Sequence, residues 1–199
     1  PGVDAPRAGG LAVALADAIK PGDLWFGWSG AMAAETSDSA RVVTAKGIDY
    51  ATIDLSKSDY EHFYVGYTNG LLWPLFHFRP GMIEFERSDL DAYVSVNQAF
   101  AKALQALLKP DDLIWVHDYH LIPLAQELRR RGVRNRIGFF LHIPWPARRL
   151  LLTLPDHAAL VEYIYRLAAL APGRVDEAEA AVRIADLWPC HAPQELVLE

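Results

Sequence analysis

Residues 115–120 read Trp115-Val116-His117-Asp118-Tyr119-His120, two histidines and an aspartate within four positions, directly after an apolar run. Such a set can hold a metal, grip a sugar or brace a loop end. Metal sites draw on His, Cys and carboxylate ligands, and His142 could join the three here. The spacing argues against that use. Neighbours in an extended chain alternate sides, so His117 and Asp118 should point apart, and no HExxH or cysteine-based spacing accompanies them. No metal ligand and no cofactor is assigned. His117 and His120 are expected to brace the loop through hydrogen bonds. Asp118 is expected to touch a polar substrate, because a carboxylate accepts two or more hydroxyl hydrogen bonds and suits a sugar.

The elements that position these residues follow from hydrophobic pattern. Pro110-Asp111-Asp112 is a turn, Leu113–Val116 a fully apolar strand, Leu121–Arg131 a helix stopped by Gly132, and Ile137–Leu141 a second apolar strand. A strand, helix and strand in that order form a parallel βαβ unit with a right-handed crossover. Uniformly apolar strands predict burial on both faces. Asp118 and His142 then follow the carboxyl ends of neighbouring strands, where open parallel sheets bind ligands, and should line one crevice.

Upstream, Gly9-Gly10 precedes helical spacing over Leu11–Lys20, which Pro21-Gly22 stops. Leu24–Phe26 reads as a short strand ending in Gly27-Trp28-Ser29-Gly30, and Ala31–Ala40 as loop. Arg41–Ala45 and Ile48–Asp54 read as a small β excursion joined through Lys46-Gly47. Ser58-Asp59-Tyr60-Glu61 matches a capping box opening a helix to about Asn69. Ser88-Asp89-Leu90-Asp91 marks another helix start, with Leu90, Tyr93, Val94, Phe100, Leu104 and Leu107 on its apolar side. The composition shifts near Pro155. Beyond it the chain is Ala-rich and expected to be helical, so residues 1–155 are expected to form one Rossmann-like α/β domain and 156–199 a divergent tail.

The 199 residues are 52% hydrophobic with a net charge of −6, which suits one globular domain and opposes nucleic acid or an anionic membrane as partner. No apolar run reaches bilayer length. A lone Cys190 rules out an internal disulfide framework and is compatible with a cytoplasmic setting. The chain opens on Pro1 rather than Met, so its natural N-terminus is expected to be missing or processed. Six tryptophans and eight tyrosines supply either a rich core or aromatic faces that pack against sugars.

The ordered set "AGGLAVAL", "WFGWSG", "NGLLWPLFH", "WVHDYHL" and "RIGFFLHIPWP" resembles the trehalose-6-phosphate synthase family, collinearly from Gly9-Gly10 to about Pro155. The resemblance implies a retaining glycosyltransferase of the GT-B type, with two Rossmann-like domains facing a cleft, this chain being most of the acceptor-side domain. It implies transfer of glucose from UDP-glucose to glucose 6-phosphate. UDP leaves with its charge stabilised by cationic side chains and backbone amides rather than a metal, so the protein's work is positioning and charge stabilisation. It places Trp28, Tyr64, Trp73 and Asp118 around glucose 6-phosphate, Tyr64 offering its hydroxyl to the phosphate. Gly9 and Gly10 fall in the donor's glycine loop, where backbone N–H groups approach an anion, and His142 beside the donor glucose.

Three departures accompany the resemblance. The family's first strand, ending in an arginine that grips the acceptor phosphate, is absent, which should expose a sheet edge. Ala147-Arg148-Arg149 stands where the family carries an acidic residue. After Leu160-Val161-Glu162 a Gly-Phe-Gln-Thr signature is expected, and Tyr163–Glu199 lacks it. The residues that hold the UDP diphosphate belong to a second domain. The chain alone is therefore expected to be inactive as a synthase, either as an incomplete copy or as a sugar-phosphate-binding or regulatory relative. Apolar surface that the second domain would cover is expected to drive homo-oligomerisation.

Overall fold

The computed structural model describes residues 19–143, 145, 146, 148–152, 158 and 163. Gly9, Gly10, most of the predicted helix over Leu11–Lys20 and nearly all of the tail lie outside the described residues.

Among the described residues, five strands and a layer of helices form an α/β body. β1 (Leu24–Ala33), β2 (Arg41–Ala45) and β3 (Ile48–Ser56) make one sheet in the order β1-β3-β2. β1 runs parallel to β3, and β2 pairs antiparallel with it. The β2–β3 hairpin turns through Lys46 and Gly47, both at positive φ (53° and 79°), the arrangement whose twist matches the flanking strands. β4 (Leu113–His117) and β5 (Arg136–Phe140) form the predicted parallel pair, with Ile114 opposite Ile137 and His117 opposite Phe140.

β1 is longer than the sequence suggested. It passes through Gly27 to Ala33, but its register against β3 steps from Trp28 opposite Ile53 to Met32 opposite Leu55. The extra residues form a bulge with Gly30 at φ 82°. Ser29 Oγ donates to the Asp54 carboxylate and accepts from Ala31 N at 3.0 Å. The bulge thus absorbs the turn residues that had marked the strand's end, and re-aims Trp28.

The first helix, α1, spans residues 57–76 and begins earlier than expected. Ser56, not Ser58, caps it: Ser56 Oγ accepts from Asp59 N at 3.0 Å, and Thr36 Oγ1 accepts from Ser56 N at 2.7 Å. Over Tyr60–Leu72 its hydrogen bonds reach five residues back, the wide π form that clusters at functional sites. Side chains help to satisfy the widened turns. Thr68 Oγ1 donates to the carbonyls of Phe63 and Tyr64 at 2.9 and 2.6 Å, and Asn69 Nδ2 to that of Tyr64 at 2.7 Å. Gly66 is required by a close approach, since a Cβ there would lie 2.6 Å from the Asp89 carboxyl carbon.

Asp89 belongs to α2 (Arg87–Gln105), which starts with Glu86 as N-cap in a reciprocal capping box with Asp89. A 3₁₀ turn (Tyr119–Leu121) follows β4, and α3 is confined to Leu124–Arg130. The expected start at Leu121 is taken up by the 3₁₀ turn, and Pro123 stands at the N-cap of α3. Gly132, at φ 82°, ends the helix as predicted. A short α4 (Arg148–Leu151) follows β5.

The core joins Ile53 and Leu55 of β3, Tyr67, Leu72 and Phe76 of α1, Tyr93 and Phe100 of α2, Ile114 and Val116 of β4, and Leu124 and Leu128 of α3. Burial of each such side chain stabilises the fold by about 1.5–3 kcal/mol. The expectation that β4 is buried on both faces does not hold. Ile114 and Val116 are 7% and 2% exposed, whereas Leu113 and Trp115 are 63% and 52% exposed. Among the described residues, helices cover only one side of this pair.

Candidate functional site

An aromatic wall connects the bulge of β1 to the end of β4. Trp28, held by its Nε1–H donating to the Ala31 carbonyl at 2.9 Å, packs against Tyr60 and Tyr64 of α1 with ring centroids 5.4 and 5.6 Å apart. Tyr60 and Tyr64, one turn apart, stack at 5.6 Å, and Tyr64 stacks at 5.6 Å on His120, which stacks at 4.4 Å on Tyr119. Tyr119 is buried, and Phe76 packs edge-on against it.

Asp118 stands where this wall meets β4, and its backbone is unusual. At φ 66°, ψ 169° it occupies a region that only glycine enters freely. The conformation is tied on three sides. Asp118 N donates to the Phe140 carbonyl at 2.8 Å, its own carbonyl accepts from Leu121 N at 3.3 Å, and its Oδ1 accepts from Tyr119 N at 3.1 Å. No other hydrogen bond reaches its carboxylate among the described residues, so lone pairs remain for hydroxyl donors.

The charge around Asp118 is simple. Burial lowers the His120 pKa, against the opposing pull of the Asp118 charge, so the imidazole is neutral at pH 7. Burial, the Asp118 charge and Tyr64 push the Tyr119 phenol well up. A lone carboxylate among neutral aromatic groups can accept hydrogen bonds from a polyol while ring faces contact its C–H bonds.

His142 makes a different set of contacts. It is exposed, and its Nε2 sits 3.1 Å from His117 Nδ1. The side-chain contacts of Asp118 run to Tyr119, while those of His142 run to His117 and Phe140. The two strand ends meet through the backbone, from Asp118 N to the Phe140 carbonyl, while the two side chains have different hydrogen-bond partners.

The bracing role is carried by His117 through its bond to His142. His120 is instead held by ring stacking, and its backbone carbonyl accepts from Asn97 Nδ2 at 3.2 Å. Trp73 stacks on His77 at 4.2 Å, and the carbonyl of Trp73 accepts from the His77 backbone N at 3.1 Å. Trp28, Tyr64 and Asp118 thus share one run of contacts, whereas Trp73 belongs to another. Tyr60 and Tyr119 were missed as parts of the wall. The i, i+4 spacing of Tyr60 and Tyr64 on one helix was the available signal. Among the described residues no three His, Cys, Asp or Glu side chains converge as a metal site would require.

Parallel strands backed by helices, with an aromatic, carboxylate-bearing surface at the strand ends, fit the make-up of a sugar-handling α/β enzyme domain. The sequence model of glycosyltransferase family 20 matches residues 5–170, and the chain belongs to that family. It is 49% identical over 158 residues to a protein of Citrobacter koseri named trehalose-6-phosphate synthase, covering 79% of this chain and 33% of the relative. Among solved structures, an alpha,alpha-trehalose-phosphate synthase (UDP-forming) from Burkholderia vietnamiensis superposes with a TM-score of 0.77 at 45% identity, covering 84% of this chain and 36% of that one. The enzyme of the same name from Burkholderia xenovorans, in complex with glucose-6-phosphate, has a TM-score of 0.77 at 48% identity and covers 82% and 37%. The chain therefore spans about a third of the length of the relatives it matches. No helix among the described residues is long and apolar enough to cross a membrane.

Proposed function

We propose that this chain forms the acceptor side of a trehalose-6-phosphate synthase and binds glucose 6-phosphate against Trp28, Tyr64 and Asp118. The observation that carries the reading is that these three residues, which the family resemblance assigns to the acceptor, join one run of contacts between the bulge of β1 and the end of β4. The named complex of the Burkholderia xenovorans relative with glucose-6-phosphate supports the ligand. Asp118 would fix the acceptor by accepting from its hydroxyls, and Trp28 and Tyr64 would pack on the sugar, with the Tyr64 hydroxyl directed to the phosphate. Trp73 would close the acceptor from its separate position beside His77. His142 would face the glucose of UDP-glucose together with Gly9 and Gly10. The enzyme would work in the cytoplasm, by orienting two bound sugars for transfer. Residues 156–199 would form a tail distinct from this domain.

Titration with glucose 6-phosphate, followed by tryptophan fluorescence, tests the reading. Saturable quenching should be lost in Asp118→Ala, with the far-ultraviolet circular dichroism unchanged. A folded protein that does not respond would sink it. Ala147-Arg148-Arg149 and the missing Gly-Phe-Gln-Thr signature favour a second reading, a sugar-phosphate-binding or regulatory relative without turnover. Both readings predict acceptor binding, and they part on whether UDP is released from UDP-glucose and glucose 6-phosphate once the donor-side domain of a relative is supplied with the chain.

A further inference from the structure

Two imidazoles stand side by side at the ends of neighbouring strands, and only His142 has been given a part in binding substrate. His117 closes β4 opposite Phe140, and His142 lies two residues past Phe140. Their rings are nearly parallel, 24° apart, with centroids at 5.4 Å and His117 Nδ1 3.1 Å from His142 Nε2. Both are held by aromatic neighbours. Trp115 packs on His117 at 4.4 Å, and Phe140 meets His142 edge-to-face at 4.5 Å.

Two nitrogens at that distance share one hydrogen, so one ring donates and the other accepts. Burial and the neighbouring His142 charge push His117 down to about 4, so His117 is neutral at pH 7. A neutral imidazole commonly carries its hydrogen on Nε2, which leaves Nδ1 bare, and Nδ1 is the atom that His117 turns to His142. The tautomer of a histidine is set by the hydrogen bond its other nitrogen makes.

We propose that His117 is a positioning residue: its Nδ1 accepts the Nε2–H of His142, fixing that tautomer and presenting the His142 Nδ1 lone pair to a hydroxyl of the donor hexose. The last step rests on the reading of His142 as a donor-side group. The pairing itself does not, because both of its partners belong to this chain. His117 touches no substrate and acts only through the ring it orients.

The test is a long-range nitrogen–proton correlation spectrum of the full 199-residue chain labelled with ¹⁵N-histidine, at pH 7, with His142 assigned by its disappearance in His142→Gln. The expected wild-type pattern is a single Nε2–H tautomer for His142. His117→Phe should convert it to a tautomer mixture. His117→Asn, whose Oδ1 can stand near the lost Nδ1, should restore it. A mixture in the wild type, or a pure Nδ1–H form, overturns the proposal even if a variant fails to fold. An unchanged His142 pattern in folded His117→Phe overturns it as well. Adding UDP-glucose should then shift the His142 Nδ1 resonance. A fixed tautomer without that shift would remove the donor contact and leave the pairing, and neither result depends on glucose 6-phosphate binding.

Discussion

One face of β4 carries Ile114 and Val116, at 7% and 2% exposure, while the other carries Leu113 and Trp115, at 63% and 52%. His117, at the end of the strand, falls with Trp115 and meets His142, while Asp118 leaves the strand at positive φ and caps the following turn through Tyr119 N. A single strand thus supplies core packing from one side and a surface of aromatic and imidazole rings from the other. Residue type alone did not separate these roles, since Leu113, Ile114, Trp115 and Val116 are all apolar. What separates them is which face α2 and α3 cover.

The largest expected difference tests that division directly. Ile114→Ala should destabilise the protein by about 3 kcal/mol, as deletions from well-packed cores do, whereas Leu113→Ala should stay within about 0.5 kcal/mol. Urea denaturation of the two variants measures both. A comparable loss for Leu113→Ala would mean that the outer face is covered in solution.

Trp115 sharpens the same point. Half-exposed beside Leu113, it is suited to anchor contact with a second copy. If such association occurs, Trp115→Ser should weaken it by about 2 kcal/mol, roughly thirtyfold, the scale of a tryptophan hot spot. Sedimentation over a concentration series would show it, and a wild-type protein that stays monomeric throughout would count against any such contact.

At the strand's end the expected sign reverses. Asp118 at φ 66°, ψ 169° holds a conformation that costs a non-glycine residue about 1–3 kcal/mol. Asp118→Gly should relieve that cost, less glycine's own entropic penalty of about 0.5–1 kcal/mol. The net gain should be about 1 kcal/mol, together with loss of glucose 6-phosphate binding. A variant that is less stable would show that the Asp118 carboxylate braces the loop rather than waits for a ligand.

Much of this was legible in the sequence, and the failures share causes. The parallel β4–β5 pair, the β2–β3 hairpin and the Gly132 stop follow from local pattern and turn chemistry, and all are present. The family, and with it the α/β fold, was legible from five ordered motifs. The bulge in β1 was not, because Gly27-Trp28-Ser29-Gly30 looks the same whether it ends a strand or kinks one. The π form of α1 was also hidden, since its cause lies in Thr68 and Asn69 bonding to carbonyls of the same helix. The different hydrogen-bond partners of Asp118 and His142 were hidden for a simpler reason. Strand ends identify which residues share an edge of the sheet, while the face each side chain takes depends on the backbone turn at Asp118.

The smallest expected effect separates the histidines by sign. Burial and the His142 charge lower His117 to about 4, and burial lowers His120, so each binds its proton more readily unfolded than folded. Stability from these two is complete above the unfolded value of about 6.5 and falls as the pH drops below it, towards about 4 for His117. His62 runs the other way. Its Nδ1 lies 2.8 Å from the buried Asp89 carboxylate, a hydrogen bond that raises its pKa. Its contribution is full below about 6.5 and fades as the pH rises through the raised value. Calorimetric Tm values should therefore fall from pH 6.5 to 5, before most carboxylates protonate, and decline gently on the alkaline side. His117→Asn should flatten the acid limb by less than about 1 kcal/mol, given how much solvent its ring still sees, and leave the alkaline limb alone. His62→Gln should flatten only the alkaline limb. If His117→Asn left the acid limb as steep as before, burial of the imidazole in folded β4 would not be what holds its proton off.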